Sequence, residues 1–180
     1  MRIEIPASAD SPVQLFVLEP HHVSDEYVAW LNSLAVNRYL ESRFAPHTIE
    51  STREFVQTML ASPQHLFLGI HSAALGRHVG NLKLGPIDRH HGSADIGILV
   101  GDPEAWGRGV ATAAIRQLVE IARDMLRLRK LTAGCYVSNI GSQRAFEKVG
   151  FALEGLRKAQ FLLDGKPEDL VQMGLVLREP

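Results

Sequence analysis

The chain is expected to fold as an α+β protein built on a mixed, seven-stranded sheet. Two observations predict this. Seven short segments read as strands, and four others carry apolar residues at helical spacing. Their order is one strand, two helices, three strands, a helix, a strand, a helix and two strands. A meander therefore precedes a strand–helix–strand unit, and the two together require antiparallel and parallel neighbours in one sheet. A length of 180 residues suits one domain, 1–180, with a full hydrophobic core.

Residues 1–12 read as a loose lead-in without the apolar core of a signal peptide. Val13 to Leu18 reads as a strand. Ser24 to Leu34 reads as a helix, with Ser24 as N-cap and Glu26 in the first turn. Asn37 to Pro46 is expected to be loop. Thr48 to Leu60 is a second helix whose apolar face is Ile49, Phe55, Val56, Met59 and Leu60. Leu66 to His71 and Val79 to Leu84 read as strands joined by a turn near Gly76, and Ser93 to Val100 as the next strand. Val110 to Leu128 is the main helix, with Ile115, Leu118, Val119, Ala122, Met125 and Leu126 as its apolar stripe. Leu131 to Val137 is a buried-looking strand and Ile140 to Val149 a short helix. Phe151 to Leu163 and Asp169 to Leu177 close the chain as strands that turn near Asp164-Gly165.

A net charge of −1 gives no electrostatic case for direct nucleic-acid binding. No apolar run is long enough to span a membrane. The single Cys135 excludes an intramolecular disulfide framework and fits a reducing, cytoplasmic compartment. On its strand it reads as core rather than nucleophile. His21-His22 and His90-His91 are adjacent pairs whose rings point apart, without further ligands at matching spacing, so no metal site is read.

The segment Trp106-Gly107-Arg108-Gly109-Val110-Ala111-Thr112 lies between a strand and a long helix. Free amides and the positive end of the helix dipole at such a junction attract phosphate. A nucleotide-hydrolase loop would need a Lys after its glycines, and none follows. A dinucleotide fingerprint would need Gly or Ala where Thr112 stands, in an opening unit of the chain. A coenzyme A pyrophosphate loop has the pattern Gln/Arg-x-x-Gly-x-Gly/Ala, which Gly109 and Ala111 meet and Trp106 does not. A tight turn before an ordinary helix would use the same glycines. About 30 residues on comes Asn139-Ile140-Gly141-Ser142-Gln143-Arg144-Ala145-Phe146-Glu147-Lys148-Val149-Gly150-Phe151. Asn139 caps a short helix there, and Gly150 suits its left-handed C-cap.

In order and at this spacing, the two motifs resemble those of the GNAT acetyltransferase superfamily, over roughly Leu15 to Leu177. The resemblance implies that fold, with helices on both faces of a mostly antiparallel sheet and a parallel strand pair that splays apart around acetyl-CoA. It implies an acetyl-CoA-dependent N-acetyltransferase that needs no metal and transfers by direct attack of an amine within a ternary complex. Ile98, Leu99 and Val100 would pair with the pantetheine arm through their backbone. Gly107, Arg108, Gly109, Val110, Ala111 and Thr112 would meet the pyrophosphate, with Trp106 packed at the loop base. Asn139 and Ser142 would contact the coenzyme arm.

Attack of a neutral amine on a thioester needs a base, oxyanion donors and often an acid. Many relatives carry a Tyr acid at the position of Phe146, which has no hydroxyl, so Ser142 one turn earlier is the substitute. Asp95 on the strand before the loop, or Glu41 in Asn37-Arg38-Tyr39-Leu40-Glu41-Ser42-Arg43, is the candidate base. The acceptor reads two ways. The span Trp30 to Phe44 with the closing Gly165 to Asp169 hairpin resembles the ribosomal-protein alanine and serine N-acetyltransferases, whose acceptor is a protein N-terminus. The Asn37 to Arg43 stretch also resembles enzymes acting on nucleotide-linked amino sugars. A non-catalytic acyl-CoA sensor and a homodimer through an edge strand stay open.

Overall fold

The structure is a computed structural model that describes residues 3–5 and 11–178. Residues 1–2 and 6–10 of the expected lead-in lie outside the described residues. Seven strands form one sheet in the order β1-β2-β3-β4-β5-β7-β6. They are β1 Val13–Val17, β2 Leu66–Ser72, β3 Arg77–Asp88, β4 Ser93–Val100, β5 Lys130–Tyr136, β6 Ala152–Leu163 and β7 Lys166–Val176. Every neighbouring pair is antiparallel except β4 with β5, which is parallel. The helices are α1 Asp25–Asn32, α2 Leu34–Asn37, α3 Ile49–Ala61, α4 Val110–Glu120 and α5 Ile140–Glu147.

Period-two alternation gives the sheet two apolar faces, and each is covered. On one face Leu68, Leu82, Leu84, Ile96 and Leu131 pack under Ile115 and Leu118 of α4 and Ala122 just beyond it. On the other, Tyr27 and Leu31 of α1 and Val56 of α3 enclose a smaller cluster with Phe16, Phe67 and Leu99. Ser24 caps α1 by accepting from the Tyr27 N–H at 3.2 Å. Thr48 and Ser51 form a reciprocal capping box at the start of α3. The hairpin after β6 turns on Asp164 and Gly165, with φ of 52° and 76°, the mirror-image turn that suits strand twist.

Three expectations need correction. The helix from Ser24 stops at Asn32, because Ser33 takes extended angles and a separate turn, α2, begins at Leu34. The main helix is α-helical only to Glu120. One π turn, Ile121–Met125, follows, with the Leu126 N–H on the Ile121 carbonyl at 3.0 Å. The wider turn rotates the stripe, so Met125 is exposed while Ile121 is buried. Phe55 is also turned outward, edge-on to Phe67, and Thr52 takes the buried place beside Val56.

β1 is an edge strand, and Gln117 of α4 closes that edge. Its Nε2 donates to the Val13 carbonyl at 2.7 Å and to Ser11 Oγ at 2.6 Å, while its Oε1 accepts from the Leu15 N–H at 3.3 Å. One side-chain amide thus stands in for the ladder of a missing neighbour.

Candidate active site

The parallel pairing of β4 and β5 runs only from Ser93 to Ile96 against Lys130 to Ala133. Beyond it, β4 stays with β3 as far as Val100 and β5 stays with β7 as far as Tyr136, so the two strands part. The Gly101 N–H bonds the Val79 carbonyl at 2.9 Å, which fixes the phase of the β3–β4 ladder. By alternation, Ile98 and Val100 turn their N–H and C=O groups toward the gap. The Val100 carbonyl is met there by the indole N–H of Trp106 at 2.8 Å. The polar contact that Trp106 makes is therefore with β4 itself.

The loop after β4 is held at its base. Asp102 is buried, accepts from the Glu104 N–H at 2.9 Å and receives Arg77 at 2.8 Å. Gly107 and Gly109 both adopt left-handed angles, φ 71° and 76°, and a Cβ at either would meet nothing within 4 Å. The glycines therefore serve conformation and leave an open approach to the start of α4. A cavity of about 550 Å³ lies against this start. Ile98, Leu99, Val100, Trp106, Gly107, Gly109, Val110, Ala111, Thr112, Asn139 and Ser142, which the sequence assigns to the coenzyme, are among its lining residues. Arg108 is not among its lining residues. Arg144 of α5 and Lys148, the C-cap of that helix, are, and the reading of the sequence missed them. Two cations four apart on a short helix were the available signal. The anion-binding helix start, the open main chain and these two cations fit an anionic coenzyme with an extended amide arm.

A second cavity, of about 680 Å³, shares Tyr39, Leu40, Ile98, Leu99, Asn139 and Ser142 with the first. Ser142 stands at this junction, and its N–H is capped by Asn139 Oδ1 at 3.2 Å. Glu41 lines the second cavity on a single 3₁₀ turn, Glu41–Phe44, and accepts the hydroxyl proton of Tyr136. Arg43 pairs with Glu41 at 3.3 Å and anchors to the Leu162 carbonyl at 2.9 Å. Tyr136 stacks on Phe161 at 4.7 Å, and its phenol is pushed above the ordinary tyrosine range, first by burial and then by the Glu41 carboxylate. It stays protonated and donates. Tyr136 was also missed, because a phenol on a buried strand reads as core.

Burial raises the Cys135 thiol to about 11, which keeps it protonated and agrees with a packing role. Phe146 is buried against Phe151. Asp95 is on the face of Gly97 and Leu99 as alternation required. It sits within the paired stretch, opposite Thr132, takes that residue's hydroxyl proton and lines neither cavity. The structure thus brings Ser142 and Glu41 to one chamber and leaves Asp95 outside. Among the described residues no three His, Cys, Asp or Glu side chains gather to hold a metal, and no helix is long and apolar enough to cross a membrane.

Residues 16–152 match the Acetyltransferase (GNAT) domain family. The "Probable N-acetyltransferase YjcK" of Bacillus subtilis (strain 168) is 32% identical over 127 residues, which are 68% of this chain and 70% of that protein. The "Putative ribosomal N-acetyltransferase YdaF" of the same organism is 32% identical over 104 residues, 58% of this chain and 56% of that protein. Among solved structures, spermidine N-acetyltransferase from Vibrio cholerae in complex with CoA and spermine superimposes with a TM-score of 0.82 at 21% identity. That match covers 92% of this chain and 96% of the other.

Proposed function

The chain belongs to the GNAT acetyltransferase family, and from that premise we propose that it acetylates a primary amine by direct attack where its two cavities meet. It is an acetyl-CoA-dependent acyltransferase. Acetyl-CoA supplies the acetyl group as a thioester. Glu41 holds the entering ammonium and takes its proton, with Tyr136 and Arg43 fixing the carboxylate. Ile98 offers a backbone N–H to the carbonyl oxygen as charge builds on it. Ser142 offers its hydroxyl proton to the departing sulfur. Asp95, outside the chamber, is not part of this scheme.

The observation that carries the acceptor reading is that Glu41 is the one carboxylate among the described residues lining the acceptor chamber. A polyamine presents several cationic centres, and Lys83 in the same chamber disfavours them. A single amine on an otherwise hydrogen-bonding body, as in a protein N-terminus, suits it better. An amino group on a nucleotide-linked sugar is the second reading, favoured by Lys83. The test is coenzyme A thiol release with peptides bearing free Ala, Ser or Thr N-termini, with amino sugars and their nucleotide conjugates, and with spermidine. Turnover of spermidine above both other pools would overturn the acceptor reading. Acetyl-CoA binding without turnover of any amine would point to a non-catalytic sensor.

A further inference from the structure

The acceptor chamber has a second polar pole that the chemistry above does not use. Asn81 and Lys83 are two apart on β3 and so share a face, opposite Leu99 and Gly97 of β4. Thr52 of α3 lines the same chamber. Asn81 and Thr52 are only 4% and 3% exposed, yet Asn81 Nδ2 and Thr52 Oγ1 have no hydrogen-bond partner. Buried polar atoms are nearly always satisfied, so two orphans on residues that line one cavity call for a ligand that draws them out.

The orientation of the Asn81 amide is fixed by His78. Nε2 of His78 lies 2.8 Å from the Gly80 carbonyl and 3.0 Å from Asn81 Oδ1. A carbonyl only accepts, so this ring nitrogen carries the proton, and the Asn81 atom beside it is the oxygen. Nδ2 is left as a free donor. Lys83 adds an ammonium with no ion-pair partner among the described residues. Opposite it, a Cβ on Gly97 would meet nothing within 4 Å, which leaves room above the strand. Two nitrogen donors and a hydroxyl on residues lining one chamber match an oxyanion.

Resting on the acetyltransferase reading, we infer that Asn81, Lys83 and Thr52 form an oxyanion subsite, so the preferred acceptor carries a carboxylate or phosphate at Lys83 as well as its amine at Glu41, whether near a protein N-terminus or on an amino sugar. The probes are matched pairs: β-alanine against β-alaninamide for a carboxylate, and glucosamine 6-phosphate and a uridine-diphosphate amino sugar against glucosamine for a phosphate. The expected result is that kcat/KM favours the anionic member by about tenfold or more in one of the two arms. Lys83→Met and Thr52→Val should shrink that ratio toward one by raising KM rather than lowering kcat. Equal kcat/KM within both arms, or a ratio untouched by Lys83→Met, would overturn the subsite. Inorganic phosphate, added with coenzyme A saturating, gives a readout without turnover. It should raise the melting temperature of the wild type and not of Lys83→Met. A wild type indifferent to phosphate would refute the subsite. Phosphate binding without turnover of any amine would retain the subsite and refute the acetylation reading instead.

Discussion

Replacing Gln117 with Leu should destabilise the fold by about 1–5 kcal/mol. The size follows from the edge of the sheet. Leu has nearly the volume of Gln, so little cavity opens, but both amide functions are lost. The Val13 carbonyl and the Leu15 N–H are then left in a buried place without partners, since Gln117 reaches them at 2.7 and 3.3 Å. Each orphaned buried group costs about 1–3 kcal/mol, and the better transfer of Leu offsets about 1 kcal/mol. For a domain of this size that corresponds to a fall in Tm of roughly 2–20 °C. Urea unfolding followed by circular dichroism is the assay, with the midpoint falling at constant slope. A loss below about 0.5 kcal/mol, the range of ordinary surface substitutions, would show that water satisfies the edge. Gln117 would then not be a surrogate strand.

Gly109→Ala should weaken acetyl-CoA binding modestly. The position needs φ 76° but has open space for a methyl, so only the left-handed strain of about 1–2 kcal/mol is added. Gly109→Glu adds a carboxylate where phosphates bind and should weaken binding at least tenfold more, by calorimetry. Equal affinities for the two variants would remove the pyrophosphate from this loop. Glu41→Gln should cut kcat/KM about ten- to a hundredfold, the worth of a charge-assisted contact, without changing acetyl-CoA affinity. Unchanged kcat/KM would move the base elsewhere. Stability should fall as the pH drops below about 6.5. Burial holds His78 below its ordinary value, so the unfolded chain takes up its proton first, and stability present above that pH is lost beneath it. The urea midpoint difference between pH 7.5 and 5.5 should shrink in His78→Gln. A difference of the same size would exonerate His78.

The cavity proposed for the coenzyme was legible because its lining is local. The loop from Trp106 to Thr112 and the motif from Asn139 to Phe151 each lie on one continuous segment, and the amides that matter belong to a strand–loop–helix junction any reader of periodicity finds. The acceptor chamber draws Glu41 from a 3₁₀ turn, Thr52 from α3, Lys83 from β3 and Tyr136 from β5. No spacing in the chain links these four, so only Glu41 was named. Asp95 shows the limit of alternation. Its face was right, but its depth depends on where β4 and β5 part, and that lies one residue beyond, at Ile96. Met125 failed for a related reason, since a single π turn is invisible to a constant helical period.

The parting of β4 and β5 also divides the molecule's exposure to evolutionary change. On the proposed donor side the strand and loop offer a ligand mainly main chain, which almost any side-chain substitution leaves in place. On the acceptor side the walls present Glu41, Lys83, Asn81 and Tyr136 by their side chains, each replaceable in one step. A lineage built this way can exchange what it acetylates while keeping what it acetylates with. Acceptor preference should therefore diverge sooner than coenzyme use among chains that share this sheet.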